Sequence, residues 1–115
     1  MFKGQRLSAA RRVRLEHGGR ILALCGSRVV GMAAYERNDR ELRVGDVGLD
    51  TESPCGGEAI ANGLLDALEL ACLASAARRL VLLPRVGLPA PLLQTRGYTA
   101  ISDGGAGTWF EKRFV

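Results

Sequence analysis

A long stretch with helical periodicity, followed directly by a short apolar run, constrains this sequence more than any other feature. In residues 58–77, apolar side chains recur at helical spacing and form one broad face. Residues 80–83, which come soon after, are all apolar. An uninterrupted apolar run after a helix is typical of a parallel strand that is buried on both faces. The chain is therefore predicted to belong to the α/β class and to contain such a strand.

The residues before the helix alternate polar and apolar side chains, which is typical of antiparallel strands. Gly18 and Gly19 are able to take the positive φ angles of a hairpin turn, so we predict a turn there. Gly45 and Gly48 are unusual inside a strand and indicate either a bulge or a backbone that is opened towards a ligand. The predicted strands cover residues 12–16, 20–25, 28–35 and 41–49.

The residues after the buried strand predict a short helix and two final strands. Pro91 suits the first turn of a helix over residues 90–96, and Gly97 suits the position that ends it. Strands are predicted at residues 98–101 and 108–114, with a flexible glycine-rich loop between them. The order is therefore an antiparallel meander, a long helix, a buried strand, a short helix and two strands.

Length and charge limit the classes of protein to consider. With 115 residues, 47% of them hydrophobic, the chain can build one core, and no apolar run approaches the roughly 18 residues of a membrane span. The first residues lack the apolar core of a signal peptide, so a cytoplasmic protein without membrane contact is expected. The net charge is +4, with basic residues crowded near the start, but aromatic residues make up only 5%. Nucleic-acid binding is therefore a minor alternative to a solvated basic segment.

Three cysteines, Cys25, Cys55 and Cys72, lack the CxxC spacing of a metal site. Their number is odd and His17 is the one histidine, so the sequence argues against both a zinc site and a disulfide framework. Cys25 and Cys72 lie in apolar patterns and are predicted to be core residues. Cys55 is predicted to be a small turn residue, with a reactive thiol near a helix end as the alternative.

Four stretches carry a resemblance to a known family: residues 29–33, 56–65, 78–82 and 92–98. Together with the order of elements, they make residues 20–115 resemble the GNAT superfamily of acyl-CoA-dependent N-acetyltransferases. The resemblance implies a GNAT-like mixed α+β fold, with a mostly antiparallel central sheet and a long helix after the fourth strand. It also implies a single domain over residues 1–115, with a basic segment 1–19 that is short for the family.

The turn before the long helix is the predicted cofactor site. A helix start carries unpaired N–H groups and a partial positive charge, which suit a pyrophosphate, and small residues allow phosphates to come close. An ordinary glycine turn is the alternative. By resemblance, this segment holds the pyrophosphate of acetyl-CoA, the expected cosubstrate, and no metal is expected. The residues expected to bind it are Val47, Leu49, Gly56, Gly57, Glu58, Ala59, Ile60 and Ala61.

The chain also departs from the pattern of the family. Gly56 stands where Arg or Gln is usual, and Ala59 stands where Gly is usual. Leu93 occupies the position of a frequent tyrosine general acid, while Tyr98 takes a packing position. Acetyl transfer needs a neutral amine, so Asp46 in the predicted fourth strand is the candidate general base. The alternative for Asp46 is a solvent-facing strand residue.

These features predict an acetyl-CoA-dependent N-acetyltransferase that acts by direct attack on an amine of unknown identity. The alternative is a catalytically weak GNAT-like acyl-CoA-binding or regulatory module that acts through a protein partner, which the missing tyrosine favours. A turn at Gly18 and Gly19 would leave no room for the two helices that form much of the acceptor wall in the family. A homodimer is expected to cover the first strand and the aromatic side chains of the last, Trp109, Phe110 and Phe114.

Overall fold

Six strands in one sheet and two helices make up the part of the chain that the computed structural model describes, residues 18–102 and 107–114. The helices are α1 (Gly57–Ala74) and α2 (Ala90–Thr95). The strands are β1 (Gly18–Cys25), β2 (Arg28–Asn38), β3 (Glu41–Leu49), β4 (Arg79–Leu82), β5 (Thr99–Ser102) and β6 (Thr108–Arg113). The predicted third and fourth strands, the long helix, the buried strand and the short helix are confirmed as β2, β3, α1, β4 and α2.

The sheet has the strand order β1-β2-β3-β4-β6-β5, and only β3 and β4 run parallel. This arrangement confirms the predicted mixed, mostly antiparallel sheet, with the long helix after β3, which is the predicted fourth strand. The closing strand β6 lies between β4 and β5. The strand whose aromatic side chains a homodimer was expected to cover is therefore an inner strand, and β1 and β5 are the outer strands of the described sheet.

The sheet opens between β3 and β4. Their pairing covers only Glu41 to Val44 on β3, and the last bond runs from the Leu83 N–H to the Val44 carbonyl at 3.0 Å. Against β2, the pairing shifts so that Gly45 is an extra residue, which makes it a β-bulge. Beyond this bulge, β3 continues to Leu49 without a β4 partner. Of the two interpretations of Gly45, the bulge is confirmed.

Helix α1 packs its apolar face onto the sheet, and this contact explains one glycine of β2. A Cβ atom at Gly31 would lie 2.6 Å from the Cγ2 atom of Ile60, so only glycine allows the helix to lie this close. The helix ends at Ala74; the hydroxyl of Ser75 donates to the Cys72 carbonyl at 3.1 Å, and Ala76 then takes a φ angle of 60°. At its other end, the start of α1 lines one cavity together with Leu49 at the end of β3. The fully buried side chains of this core include Ile21, Leu42, Val44, Ile60, Leu64, Leu65, Leu68, Leu80 and Leu82.

The prediction for Gly18 and Gly19 was wrong. They are the first two residues of β1 and pair with Glu36 and Tyr35 of β2. Glycine is tolerated in a strand when the neighbouring strand pairs with its backbone. The inference that a tight turn replaces the acceptor wall therefore loses its basis. The predicted strand at residues 12–16 lies outside the described residues, as does nearly all of the basic segment.

The prediction against a disulfide was also wrong. Cys25, at the end of β1, is bonded to Cys55, in the turn before α1, with their Cα atoms 6.2 Å apart. Sequence spacing could not reveal this pair, because the β1–β2 hairpin lies beside that turn only in the folded chain. Cys72 is fully buried, as predicted, and burial raises the pKa of its thiol to about 11.

A partly buried polar network holds α2 and β5 against α1. Arg96 donates to Asp66 at 2.7 Å and to Asn62 at 2.9 Å, and it pairs with Glu69 at 3.1 Å. The hydroxyl of Tyr98 donates to Glu69 at 2.9 Å, and burial together with that carboxylate raises the pKa of Tyr98. The packing role predicted for Tyr98 is confirmed, and the network fixes α2 beside the first half of α1.

Candidate cofactor-binding cleft

A cavity of about 530 Å³ lies between the start of α1, the end of β3 and the segment that leads into α2. Four of the residues predicted to bind the cofactor line it: Leu49, Gly57, Glu58 and Ala61. The opposite wall was not predicted and includes Gly87, Pro89, Pro91, Leu92 and Thr95. The network around Arg96 keeps the two walls at a fixed separation, because it joins α1 to the end of α2.

The first turn of α1 offers backbone N–H groups to this cavity. The N–H of Gly56 donates to the Ser53 carbonyl at 3.0 Å, and the first helical bond runs from the Ile60 N–H to the Gly56 carbonyl at 3.1 Å. The N–H groups of residues 57–59 find no partner among the described residues, and no side chain caps the helix there. Such groups, at the positive end of the helix dipole, bind anions.

Gly56 has a φ angle of 85°, a backbone conformation that favours glycine. This backbone conformation turns the chain sharply into α1. A Cβ atom at Gly57 would be 3.8 Å from the nearest atom, the Cγ2 of Thr51, which is an ordinary van der Waals contact. At Gly57 the helix start therefore presents backbone to the cavity, and Glu58 adds a carboxylate side chain to the lining.

The turn at residues 50–56 is closed by its own hydrogen bonds. The N–H of Ser53 donates to the Asp50 carbonyl, the N–H of Glu52 to the Asp50 side chain, and the N–H of Cys55 to the Ser53 hydroxyl, each at 3.1 Å. Ser53 is buried, and it is not among the residues predicted for the site. The Ser-Pro-Cys-Gly spacing, in which a hydroxyl can accept a bond from two residues later, was the available signal.

The other predicted cofactor residues lie at the edge of the cavity or behind it. Gly56 and Ala59 are exposed beside it but do not line it. Ile60 is fully buried and Val47 packs against the core, so both side chains support the site from within. Glu58 is the acidic residue of the first turn, and no Lys or Arg side chain lines the cavity in the described part of the chain. Backbone groups are thus the anion-binding elements available there.

Asp46 lies on β3 directly after the bulge, paired with Ala34 of β2. Its side chain is exposed and does not line the cavity, although it belongs to the part of β3 that has no β4 partner. The structure therefore does not bring Asp46 together with the residues of the first turn. It does leave the carboxylate open to solvent at the sheet opening.

Neither tyrosine of the chain lines the cavity. Tyr35 and Tyr98 are both buried, and burial raises the pKa of Tyr35 to about 12. Leu93, at the position of the family's frequent tyrosine, is buried as well. No tyrosine hydroxyl is available here to donate a proton.

Two further features bear on the type of site. Among the described residues, no group of three or more histidine, cysteine, aspartate or glutamate side chains is arranged to hold a metal ion. Neither described helix is long and apolar enough to cross a membrane.

Solved structures with the same backbone arrangement are acetyltransferases, while the sequence matches no family model and no curated protein. The GNAT domain of PAT from S. lividans is 17% identical over 87% of this chain, with a TM-score of 0.70. The N-acetyltransferase paia from Thermoplasma acidophilum, in complex with coenzyme A, is 14% identical over 85% of this chain, with a TM-score of 0.65. The aminoglycoside 6'-N-acetyltransferase from Enterococcus faecium is 11% identical over 91% of this chain and 79% of its own, with a TM-score of 0.69.

This chain spans 62% of the length of each of the first two structures. The likeness to both is one of overall backbone fold, with TM-scores of 0.70 and 0.65. The chain therefore has the GNAT fold.

Proposed function

We propose that this protein binds acetyl-CoA in the cleft at the start of α1 and transfers the acetyl group to an amine by direct attack. The observation that carries the proposal is the uncapped first turn of α1, whose free N–H groups adjoin a cavity of about 530 Å³. Pyrophosphate oxygens suit these groups, and the apolar wall of Leu92 and Pro91 suits a pantetheine arm.

When bound, acetyl-CoA supplies a thioester whose carbonyl carbon accepts the amine. Beyond Val44, β3 has one edge without a β4 partner, so its backbone groups on that edge are free to align the arm and to polarise the carbonyl. Asp46, exposed beside this edge, would take the proton from the incoming ammonium, directly or through water. Because both tyrosines are buried, water would supply the proton to the departing sulfur.

The second candidate is a catalytically weak module that binds acyl-CoA and regulates a protein partner. Asp46 does not line the cavity and both tyrosines are buried, and these two observations favour it. Calorimetry with acetyl-CoA tests binding, and release of the CoA thiol in the presence of a panel of primary amines tests transfer. Binding with no turnover across the panel would favour the module, and a lack of binding would exclude both candidates.

Replacing Asp46 with Asn should separate binding from chemistry. If Asp46 is the base, the dissociation constant for acetyl-CoA stays nearly unchanged, while turnover falls by roughly 10²-fold or more at neutral pH. Glu36→Gln is the matched control, because Glu36 is an exposed carboxylate on the neighbouring strand β2. Equal turnover of Asp46→Asn and the wild type across the pH range would remove Asp46 from the mechanism.

A homodimer and a cytoplasmic location stay predictions. Because β6 lies inside the sheet, β5 is the outer strand at that end, and Ile101 on it is 38% exposed. Outer strands are usually paired or covered, so a dimer contact along β5 is the expected arrangement. Light scattering at tens of micromolar protein should give twice the monomer mass, with or without CoA. A monomer under both conditions would rule the dimer out.

A further inference from the structure

The disulfide and the cleft share one segment of the chain. Cys55 directly precedes Gly56, the residue that caps α1, and Cys25 ends β1. The bond therefore joins the β1–β2 hairpin to the turn that shapes the free N–H groups of α1. A covalent link at this position acts on the geometry of the cleft without lining it.

Few hydrogen bonds hold this turn to the sheet. A hydrogen bond from the Asp50 N–H to the Val30 carbonyl, at 2.8 Å, fixes its beginning. The other backbone bonds made by residues 51–56 run within the turn or into α1 itself. Among the described residues, Cys25–Cys55 is therefore the one bond that ties the second half of the turn to the sheet.

The bond is also within reach of small molecules. The side chains of Cys25 and Cys55 are only partly buried. A cavity of about 350 Å³ adjoins Cys25, with Arg28, Ser53 and Pro54 in its walls. A small thiol has room to approach the sulfur from this side, whereas Cys72 is fully buried in the core.

We propose that Cys25–Cys55 is a thiol–disulfide exchange site that sets the affinity of the cleft for CoA. The proposal rests on the proposed function. A thiolate of a dithiol attacks one sulfur, so that the S–S bond breaks, one cysteine is released and a mixed disulfide forms with the other. The second thiol of the reductant then attacks this mixed disulfide and releases the second cysteine. Both cysteines end as thiols, and the dithiol gives up two electrons and two protons to become a disulfide. A small-molecule disulfide oxidant reverses the exchange.

Reduction weakens CoA binding because the turn becomes free to leave the geometry that exposes the N–H groups. Binding must then restore that order, as in any site that is not preorganised. If binding must newly order about one residue, the dissociation constant should rise about tenfold. The bonded form, with the first turn of α1 already open to an anion, is the one that binds tightly.

The test compares calorimetric titrations of CoA into oxidised protein and into protein reduced with dithiothreitol, with circular dichroism to establish that both are folded. We expect about tenfold weaker binding after reduction, full recovery after reoxidation with glutathione disulfide, and weak, redox-insensitive binding by the double variant Cys25→Ser/Cys55→Ser. Cys72→Ala should respond like the wild type, because that thiol lies outside the exchange.

Each other outcome counts against the inference. Dissociation constants within about threefold in the two redox states, a difference worth less than about 0.7 kcal/mol, would overturn the exchange site while leaving the proposed function intact. Unfolding of the reduced protein would overturn it as well, because the bond would then hold the fold rather than the turn. Oxidised protein that binds no CoA would instead overturn the proposed function, and this inference with it.

Discussion

Coenzyme A should raise the melting temperature of this protein, and Gly57→Leu should abolish the increase. A ligand at 100 times its dissociation constant stabilises the folded state by about 2.7 kcal/mol. For a domain of this size, that free energy corresponds to an increase of roughly 10 °C. A leucine side chain at position 57, in the lining of the cavity, would occupy space where the phosphates are expected, and most of this effect should be lost. Differential scanning fluorimetry with and without CoA measures it.

A second variant and a control make this result specific. Ala61 also lines the cavity, so Ala61→Leu should lose the stabilisation for the same reason. Ala74→Leu makes the same exchange at the other end of α1, where the side chain is exposed, and should keep the full response. If Gly57→Leu and Ala61→Leu both retained the increase seen in the wild type, the assignment of the cleft to CoA would be wrong.

Loss of the Cys25–Cys55 bond should lower the free energy of unfolding by about 3–4 kcal/mol in the absence of any ligand. The two cysteines are 30 residues apart. In the chain-entropy account, closing a loop of about that length removes about 3–4 kcal/mol of conformational freedom from the unfolded chain. Most domains have only about 5–15 kcal/mol of stability, so the protein should remain folded but should unfold at a clearly lower urea concentration.

Urea unfolding of the oxidised and reduced protein measures this difference. The variant Cys25→Ser/Cys55→Ser should match the reduced protein and should give the same midpoint with and without dithiothreitol. Cys72→Ala is the control for effects of the reductant on other thiols, and its oxidised form should still respond to reduction. Identical midpoints for the oxidised and reduced wild type would show that the bond contributes nothing to the fold.

Local sequence patterns were enough to predict the elements that depend on local order. The helical period of α1 and the apolar run of β4 identified both elements and predicted a parallel strand. A helix with one apolar face shows a helical period in the sequence, and a strand buried on both faces shows a continuous apolar run. The bulge at Gly45 was one of two interpretations, since a glycine in a strand signals an irregularity but not its kind. The turn predicted at Gly18 and Gly19 was wrong for a related reason, because two adjacent glycines are compatible with a turn and with a paired strand.

Features that depend on long-range contacts could not be predicted. The disulfide forms because the end of β1 lies beside the turn at residues 50–56 in the folded chain. The number of cysteines in the sequence does not indicate which segments become neighbours in this way. The first-turn residues of the cleft were predicted because phosphate binding depends on a local helix start. Its second wall, around Pro89 and Leu92, was missed because that wall exists only after α2 has packed against α1.

The position of β6 has a consequence for the order in which the sheet is completed. β4 and β5 are not hydrogen-bonded to each other, and both pair with β6, which follows them in the chain. During synthesis, β4 can complete its pairing with β3 as soon as α1 has formed, but its other edge stays open until residues 108–113 have left the ribosome. Open strand edges are places where unfinished chains aggregate. β6 therefore inserts between β4 and β5, which precede it in the chain. This one step completes the sheet and pairs the edges of β4 and β5 that were open until then.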